Sequence, residues 1–324
     1  MIFKRAVSVC VMTFLVAGLL FGFASKTSAA KPEPSSAVSY TAPITLYWLA
    51  KAGVPEAVEY VQYIDAEKIL KPKSITQYER VERINKIYQE IRYASLNDFI
   101  ESGNYINVMD LGCGVSPRCL RMAREGINYV GTDLEDVVEV LDFYAPNFIQ
   151  DDKRKYVRFA VADAANHKEM MNAAKSLKGE ICIVEEGLLM YLSHDKQKAM
   201  LENIRDILKK HGGAFVTSDF VAGEIFMSLN RTIYGEEDAL TIAKETQKVY
   251  EDLSKVFFNE TMFKTEAEAV KFIEDAGLKV EMRPIFNGTP DIISIRDLND
   301  SEIDSVHALM QQKLLWVITV DKDK

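Results

Sequence analysis

Between Val108 and Asp133 the chain runs through an apolar stretch, a glycine turn, a helix-length segment and a second apolar stretch that ends in an acid. Gly112 and Gly114 let the backbone pass close under another group, because no Cβ blocks the approach. Ser116 is placed to cap the following helix, and Pro117 suits its first turn, where a missing N–H costs nothing. Gly126 ends that helix, and Asn128–Thr132 resumes as a strand.

Strand and helix keep alternating after this unit. Strand centres are expected at Val108, Tyr129, Val157–Val161, Ile181–Val184 and Ala214–Thr217, with helices between them such as Asp195–Lys210. Lys279–Arg283 and Leu314–Val320 complete the sheet as a final pair, one of them antiparallel. Such alternation implies an α/β fold, a doubly wound and mostly parallel sheet covered by helices on both faces. Ahead of it, Ala42–Leu70 reads as helices broken at Gly53-Val-Pro55, and Gln77–Ser102 as one helix stopped by Gly103. Gly223–Phe258 reads as an inserted helical segment, and Glu266–Ala276 as a helix closed by Gly277.

The first 40 residues have a different character. Met1–Arg5 is a short basic start, Ala6–Ala24 is uncharged and largely apolar, and Thr27–Ala30 supplies small residues. Residues 1–30 therefore have the form of a signal peptide or a membrane anchor, which places the rest outside the cytosol. Residues 31–40, rich in Pro and Ser, form a linker, and 41–324 the folded domain. With 48% hydrophobic residues over its 324 positions, the chain can bury a full core. A net charge of −9, with no basic patch carrying interleaved aromatics, argues against nucleic acid as a partner. The only membrane contact expected is through the N-terminal segment. Cys10, Cys113, Cys119 and Cys182 lack metal-ligand spacing with a histidine, so no metal is expected.

A dinucleotide fingerprint needs a third glycine where this chain has Pro117, which argues against a nicotinamide enzyme. A ligand without a pyrophosphate, such as S-adenosylmethionine, makes no such demand. It still needs an acid for the ribose hydroxyls, and Asp133 stands at the carboxyl end of the second strand, where such an acid belongs.

Two elements carry a resemblance. Asp110–Met122 and the run Glu186-Gly-Leu-Leu-Met-Tyr-Leu192 resemble the leucine carboxyl methyltransferase-like family of S-adenosylmethionine-dependent O-methyltransferases, which carries "DLGxGxDxRxxRL" and "EGLLMYL" at these places. The resemblance implies a class I methyltransferase Rossmann-like sheet of seven strands, with N-terminal helices and a helical insertion. It implies S-adenosylmethionine as cofactor and a small molecule or peptide, methylated on a carboxylate or hydroxyl, as substrate. Two positions depart from the pattern: the Asp after the second glycine is Ser116, and no lysine follows Asp133.

At the carboxyl edge of the sheet this reading gathers Gly112, Gly114, Asp133, Asp163, Ala164 and Glu186 around the cofactor. In the resemblance, Asp163 reads the adenine amino group beside the N–H of Ala164. Its alternative role is a cap for a helix starting near Ala165. Glu186 faces the cationic end of the cofactor, and the adjacent Glu185 points away or caps. Arg92 resembles the arginine that grips the cofactor carboxylate, with Arg80 and Arg83 as alternatives. Arg118 and Arg121 match the family's paired arginines, or pair with nearby acids. Tyr191 and His194 are the candidates for substrate contact and acid–base work, against packing and helix-start roles. A non-catalytic protein that binds S-adenosylmethionine without turnover remains the alternative, and a nicotinamide oxidoreductase the third reading.

Overall fold

The computed structural model describes residues 41–64, 79–254, 261–286, 288–312 and 314–321. The expected leader and linker lie outside these residues, as does the stretch 65–70 of the first helical region. Seven strands form one sheet: β1 (Asn107–Leu111), β2 (Asn128–Asp133), β3 (Val157–Val161), β4 (Ile181–Glu185), β5 (Gly213–Thr217), β6 (Leu278–Arg283) and β7 (Leu315–Val320). Their order is β3-β2-β1-β4-β5-β7-β6. The first five run parallel, while β7 is antiparallel to both β5 and β6. This is the class I methyltransferase Rossmann-like fold, and the antiparallel member of the final pair is β7.

Successive residues of each strand face opposite sides of the sheet. Met109, Ile183, Phe215, Trp316 and Ile318 enter one apolar layer, and their neighbours Val108, Cys182, Val184, Ala214 and Val317 enter the other. The first layer is closed by helices α3 (Glu79–Ser102), α7 (His194–His211), α9 (Glu266–Asp275) and α10 (Asp300–Met310). The second is closed by α1 (Ala42–Ala52), α2 (Pro55–Tyr60), α4 (Arg118–Glu125) and α5 (Glu135–Phe148). The short α6 (His167–Ala174) joins the first layer through Met170 and Ala173. Because burying a leucine or isoleucine side chain is worth ~1.5–3 kcal/mol, these two continuous layers anchor the sheet from both faces.

Sequence signals set several helix ends as expected. Gly53 (φ 91°) ends α1 and Gly126 (φ 73°) ends α4, both in the left-handed region that a side chain disfavours. The cap at Ser116 is corrected: the helix begins at Arg118 with Pro117 as its N-cap, and the Ser116 hydroxyl accepts the Arg118 N–H at 3.3 Å. The proline supplies helical backbone one residue later than the serine pattern suggests. Asn299 makes a full capping box with Glu302 at the start of α10, a helix absent from the sequence reading.

The inserted segment is α8 (Ala222–Ser254), two helical halves meeting at Gly235, whose backbone (φ 78°, ψ 170°) is not helical. Among the described residues, no helix is long and apolar enough to cross a membrane.

Candidate functional site

Strand register determines what the sheet offers at its carboxyl edge. Leu111 pairs with Thr132 on one side and with Glu185 on the other. Gly112, Asp133 and Glu186, each the next residue, therefore leave the sheet at one level. Asp133 in turn pairs with Val161, which brings Asp163 and Ala164 to the same edge. These five residues line one cavity of about 940 Å³, and so do Gly114 and Arg92. That volume stands at the upper end of the ~300–1,000 Å³ common for ligand sites.

Gly112 (φ 58°) and Gly114 (φ 51°) both adopt left-handed backbone. A Cβ on Gly112 would meet the Leu188 side chain at 3.0 Å, so the turn needs glycine on two counts. The turn is tied to Asp133, whose carboxylate accepts the N–H groups of Gly114 and Leu134, each at 2.7 Å. Burial pushes this carboxyl up to about 6 against the pull of those two hydrogen bonds. Each oxygen keeps a lone pair for a further donor.

The two adjacent acids after β4 separate as strand alternation requires. Glu185 turns inward, where its carboxylate accepts the N–H groups of Leu188 (2.5 Å) and Leu189 (3.0 Å) and the Thr217 hydroxyl (2.7 Å). It closes the turn, does not line the cavity, and is held well above the usual carboxylate range by burial and by Asp219. Glu186 turns into the cavity wall. Its Oε2 accepts from Arg118 at 2.7 Å, and its Oε1 is buried with no hydrogen-bond partner.

Arg118, which the sequence offered as a motif arginine or a partner for nearby acids, pairs with two of them and is the hub of the buried site. It is fully buried and donates to Asn97 (3.0 Å), Asp110 (2.8 Å) and Glu186 (2.7 Å), while Tyr129 donates to the same Asp110 oxygen at 2.9 Å. Burial works against its charge, but Asp110 and Glu186 outweigh it and hold the group firmly protonated. An arginine on a helix facing an acid on a strand gives no local signal for this. Its companion Arg121 instead meets Glu101 and Glu56 at a partly exposed position.

Arg92 is buried at the cavity wall, paired with Asp219 and lying 5.0 Å from the Tyr88 ring centroid. Its Nε is buried without an acceptor. The alternatives lie elsewhere: Arg80 pairs with Asp238 at the surface, and Arg83 donates to the Asp297 carbonyl. Asp219, 127 residues beyond Arg92, also accepts the Gly187 N–H at 2.6 Å, so it orients the turn that carries Glu186. No motif marked it.

Asp163 accepts the Ala165 N–H at 2.9 Å and meets Lys196 at 3.4 Å. The cap of α6 is Asn166, which accepts from Lys168 and Glu169. Ala164 is buried, and its carbonyl accepts from Asn203. Tyr191 lines the cavity within the short 3₁₀ turn Leu189–Tyr191. His194 does not: its ring stacks on Phe263 at 4.9 Å with an interplanar angle of 7°.

No family profile and no curated protein matches the chain. Solved structures do show likeness at low identity. A DUF574-family protein from Streptomyces avermitilis is 14% identical with a TM-score of 0.46, covering 90% of this chain and 98% of its own. Magnesium protoporphyrin IX methyltransferase from Synechocystis, with bound S-adenosylhomocysteine, is 14% identical with a TM-score of 0.41, covering 74% of this chain and 90% of its own. An O-methyltransferase from neocarzinostatin biosynthesis, in complex with S-adenosylmethionine and a hydroxynaphthoic acid, is 12% identical with a TM-score of 0.43 and covers 88% and 70%. The fold assignment rests on the sheet order, and the site on its own residues.

Proposed function

We propose that the chain is an S-adenosylmethionine-dependent methyltransferase of the leucine carboxyl methyltransferase-like kind, acting on a carboxylate or hydroxyl of a small molecule or peptide. The observation that carries this reading is the placement of Asp133 and Glu186 on either side of the Gly112–Gly114 turn, with Glu186 Oε1 buried and unpartnered. A buried acceptor without a donor costs ~1–3 kcal/mol, so a cationic ligand that supplies the donor gains the difference. The ammonium of S-adenosylmethionine fits that need. Asp133 has a lone pair on each oxygen for the two ribose hydroxyls, Asp163 and Ala164 lie where the adenine would reach, and Arg92 Nε is free for the carboxylate end.

The cofactor supplies an electrophilic methyl group on a sulfonium. The chain supplies position. In-line transfer depends on holding the acceptor behind that methyl, and alignment of this kind can contribute ~7–11 kcal/mol. Asp110, Arg118 and Glu186 form a buried set, Asp219 fixes Arg92 and the Gly187 N–H, and Tyr191 lines the same cavity. A carboxylate acceptor needs no base; a hydroxyl gives up its proton.

Titration calorimetry with S-adenosylmethionine and with NAD tests the cofactor. Binding of the first alone is expected, and binding of NAD alone would defeat the reading. Transfer of labelled methyl to components of a metabolite extract then separates an enzyme from a protein that only binds. We further propose that residues 1–30 direct export, on the strength of their charge and apolar pattern. N-terminal sequencing of the protein from its host should find a start near Lys31, and an intact Met1 in soluble cytosolic protein would defeat this.

A further inference from the structure

Beyond the glycine turn the cavity continues into a second region whose walls are of a different kind. It is bounded by α3, by the turn after β5, by both halves of α8 and by residues 262–266. Each half of α8 presents an i, i+3, i+4 triplet to it: Gly223, Phe226 and Met227 before Gly235, then Ala243, Thr246 and Gln247 after it. That spacing is one face of a helix. The non-helical backbone at Gly235 turns the chain so that both faces meet one space.

The lining here is aromatic and thioether: Tyr88, Phe220, Phe226, Met227, Met262 and Phe263. Tyr88 and Phe226 meet edge to face at 5.2 Å and 81°. Aromatic and methionine surfaces favour flat, polarisable, apolar occupants. Among the cavity's cations, Arg92, Arg118 and Lys196 are each paired with an acid, and Lys264 lies exposed at the rim. Acids outnumber cations along the described wall. An anionic acceptor would therefore find no buried cation among the described wall residues that is not already paired with an acid. On α8 the Thr246 side chain is 6% exposed and lines the cavity, and its hydroxyl, like Arg92 Nε and Glu186 Oε1, has no hydrogen-bond partner. A neutral oxygen or O–H on the occupant satisfies it.

We infer that the acceptor is an uncharged, flat aromatic compound methylated on a hydroxyl, and that Thr246 is a specificity-determining residue that holds a polar group of this compound. The inference rests on the methyltransferase reading and narrows its substrate. In the step it implies, a lone pair on the acceptor's hydroxyl oxygen forms the new O–CH₃ bond as the S–CH₃ bond breaks. The sulfur keeps the bonding pair and becomes a neutral thioether. The hydroxyl proton leaves to water where the exposed Glu224, Lys264 and Glu266 bring the cavity to solvent.

The test uses the protein as produced by its host, with S-adenosylmethionine carrying a labelled methyl group. The probes are 1-naphthol and 2-naphthol, the matching naphthoic acids and a short acidic peptide. Labelled methyl ethers of a naphthol are expected, with naphthol binding by calorimetry in the presence of S-adenosylhomocysteine and far weaker binding of the acids. Thr246→Val keeps the shape and removes the hydroxyl. It should raise the naphthol Kd and KM about three- to tenfold while cofactor Kd stays unchanged and Tm does not fall. Preference for the naphthoic acids or the peptide, or no naphthol binding with cofactor affinity intact, overturns the inference. An unchanged naphthol Kd in Thr246→Val overturns the role of Thr246. Absence of S-adenosylmethionine binding defeats the methyltransferase reading itself, and the inference with it.

Discussion

Replacing Arg118 by methionine removes the one cation that compensates two buried acids. Arg118, Asp110 and Glu186 have side-chain exposures of 1%, 2% and 6%, so water cannot take over the lost hydrogen bonds. Deleting one partner of a buried ion pair typically costs ~3–5 kcal/mol, because the charge left behind is unpaired. Here two charges are left, and Asn97 loses its donor as well, so the loss should fall at the upper end of that range. For a domain of this size it corresponds to a fall in Tm of roughly 10 °C or more. Calorimetric or urea unfolding measures it. Neutralising the acids distinguishes charge from packing: adding Asp110→Asn and Glu186→Gln removes both uncompensated charges and should recover part of the loss. A cost below ~1 kcal/mol, the worth of an exposed pair, or no recovery in the triple variant, would refute the reasoning.

Three further outcomes are expected. Asp133 must be ionised to accept both ribose hydroxyls, and burial places its carboxyl at about 6; S-adenosylmethionine affinity should hold steady above about pH 7 and weaken toward tenfold per unit once the pH is below about 6, while Asp133→Asn should bind weakly with a flat profile in titration calorimetry. Glu186→Gln should weaken cofactor binding or methyl transfer more than Glu185→Gln, because only the first acid faces the cavity, whereas Glu185→Ala should lower stability by ~1–3 kcal/mol through the orphaned Leu188 and Leu189 N–H groups without moving cofactor Kd; equal effects on binding would reverse the assignment. Gly112→Ala sets a side chain at φ 58° and 3.0 Å from Leu188, so it should lose ~1–2 kcal/mol in unfolding free energy and impair cofactor binding, and an unaffected variant would show that the turn tolerates a Cβ.

The elements that depend on neighbours a few residues away could be read directly. Alternation of apolar runs placed all seven strands, Gly53 and Gly126 stopped their helices, and the inserted helix was visible from Gly223, its expected last stretch 255–258 lying outside the described residues. Asp133 and Glu186 were also legible, because each follows a strand that parallel pairing delivers to one edge. Only the tertiary structure decided the rest. Arg118 was one of two motif arginines with no partner named until β1 and the β4 turn brought Asp110 and Glu186 to it. Arg92 was one of three upstream arginines until Asp219 paired with it across 127 residues. His194, near Tyr191 in the chain, faces Phe263 instead of the cavity. The difference is physical. Hydrophobic period, glycine conformation and strand alternation are properties of short segments, and the amino-acid order states them outright. Burial of a charge and the partner that compensates it depend on how distant segments pack, so they arise only once the sheet has set its order and register.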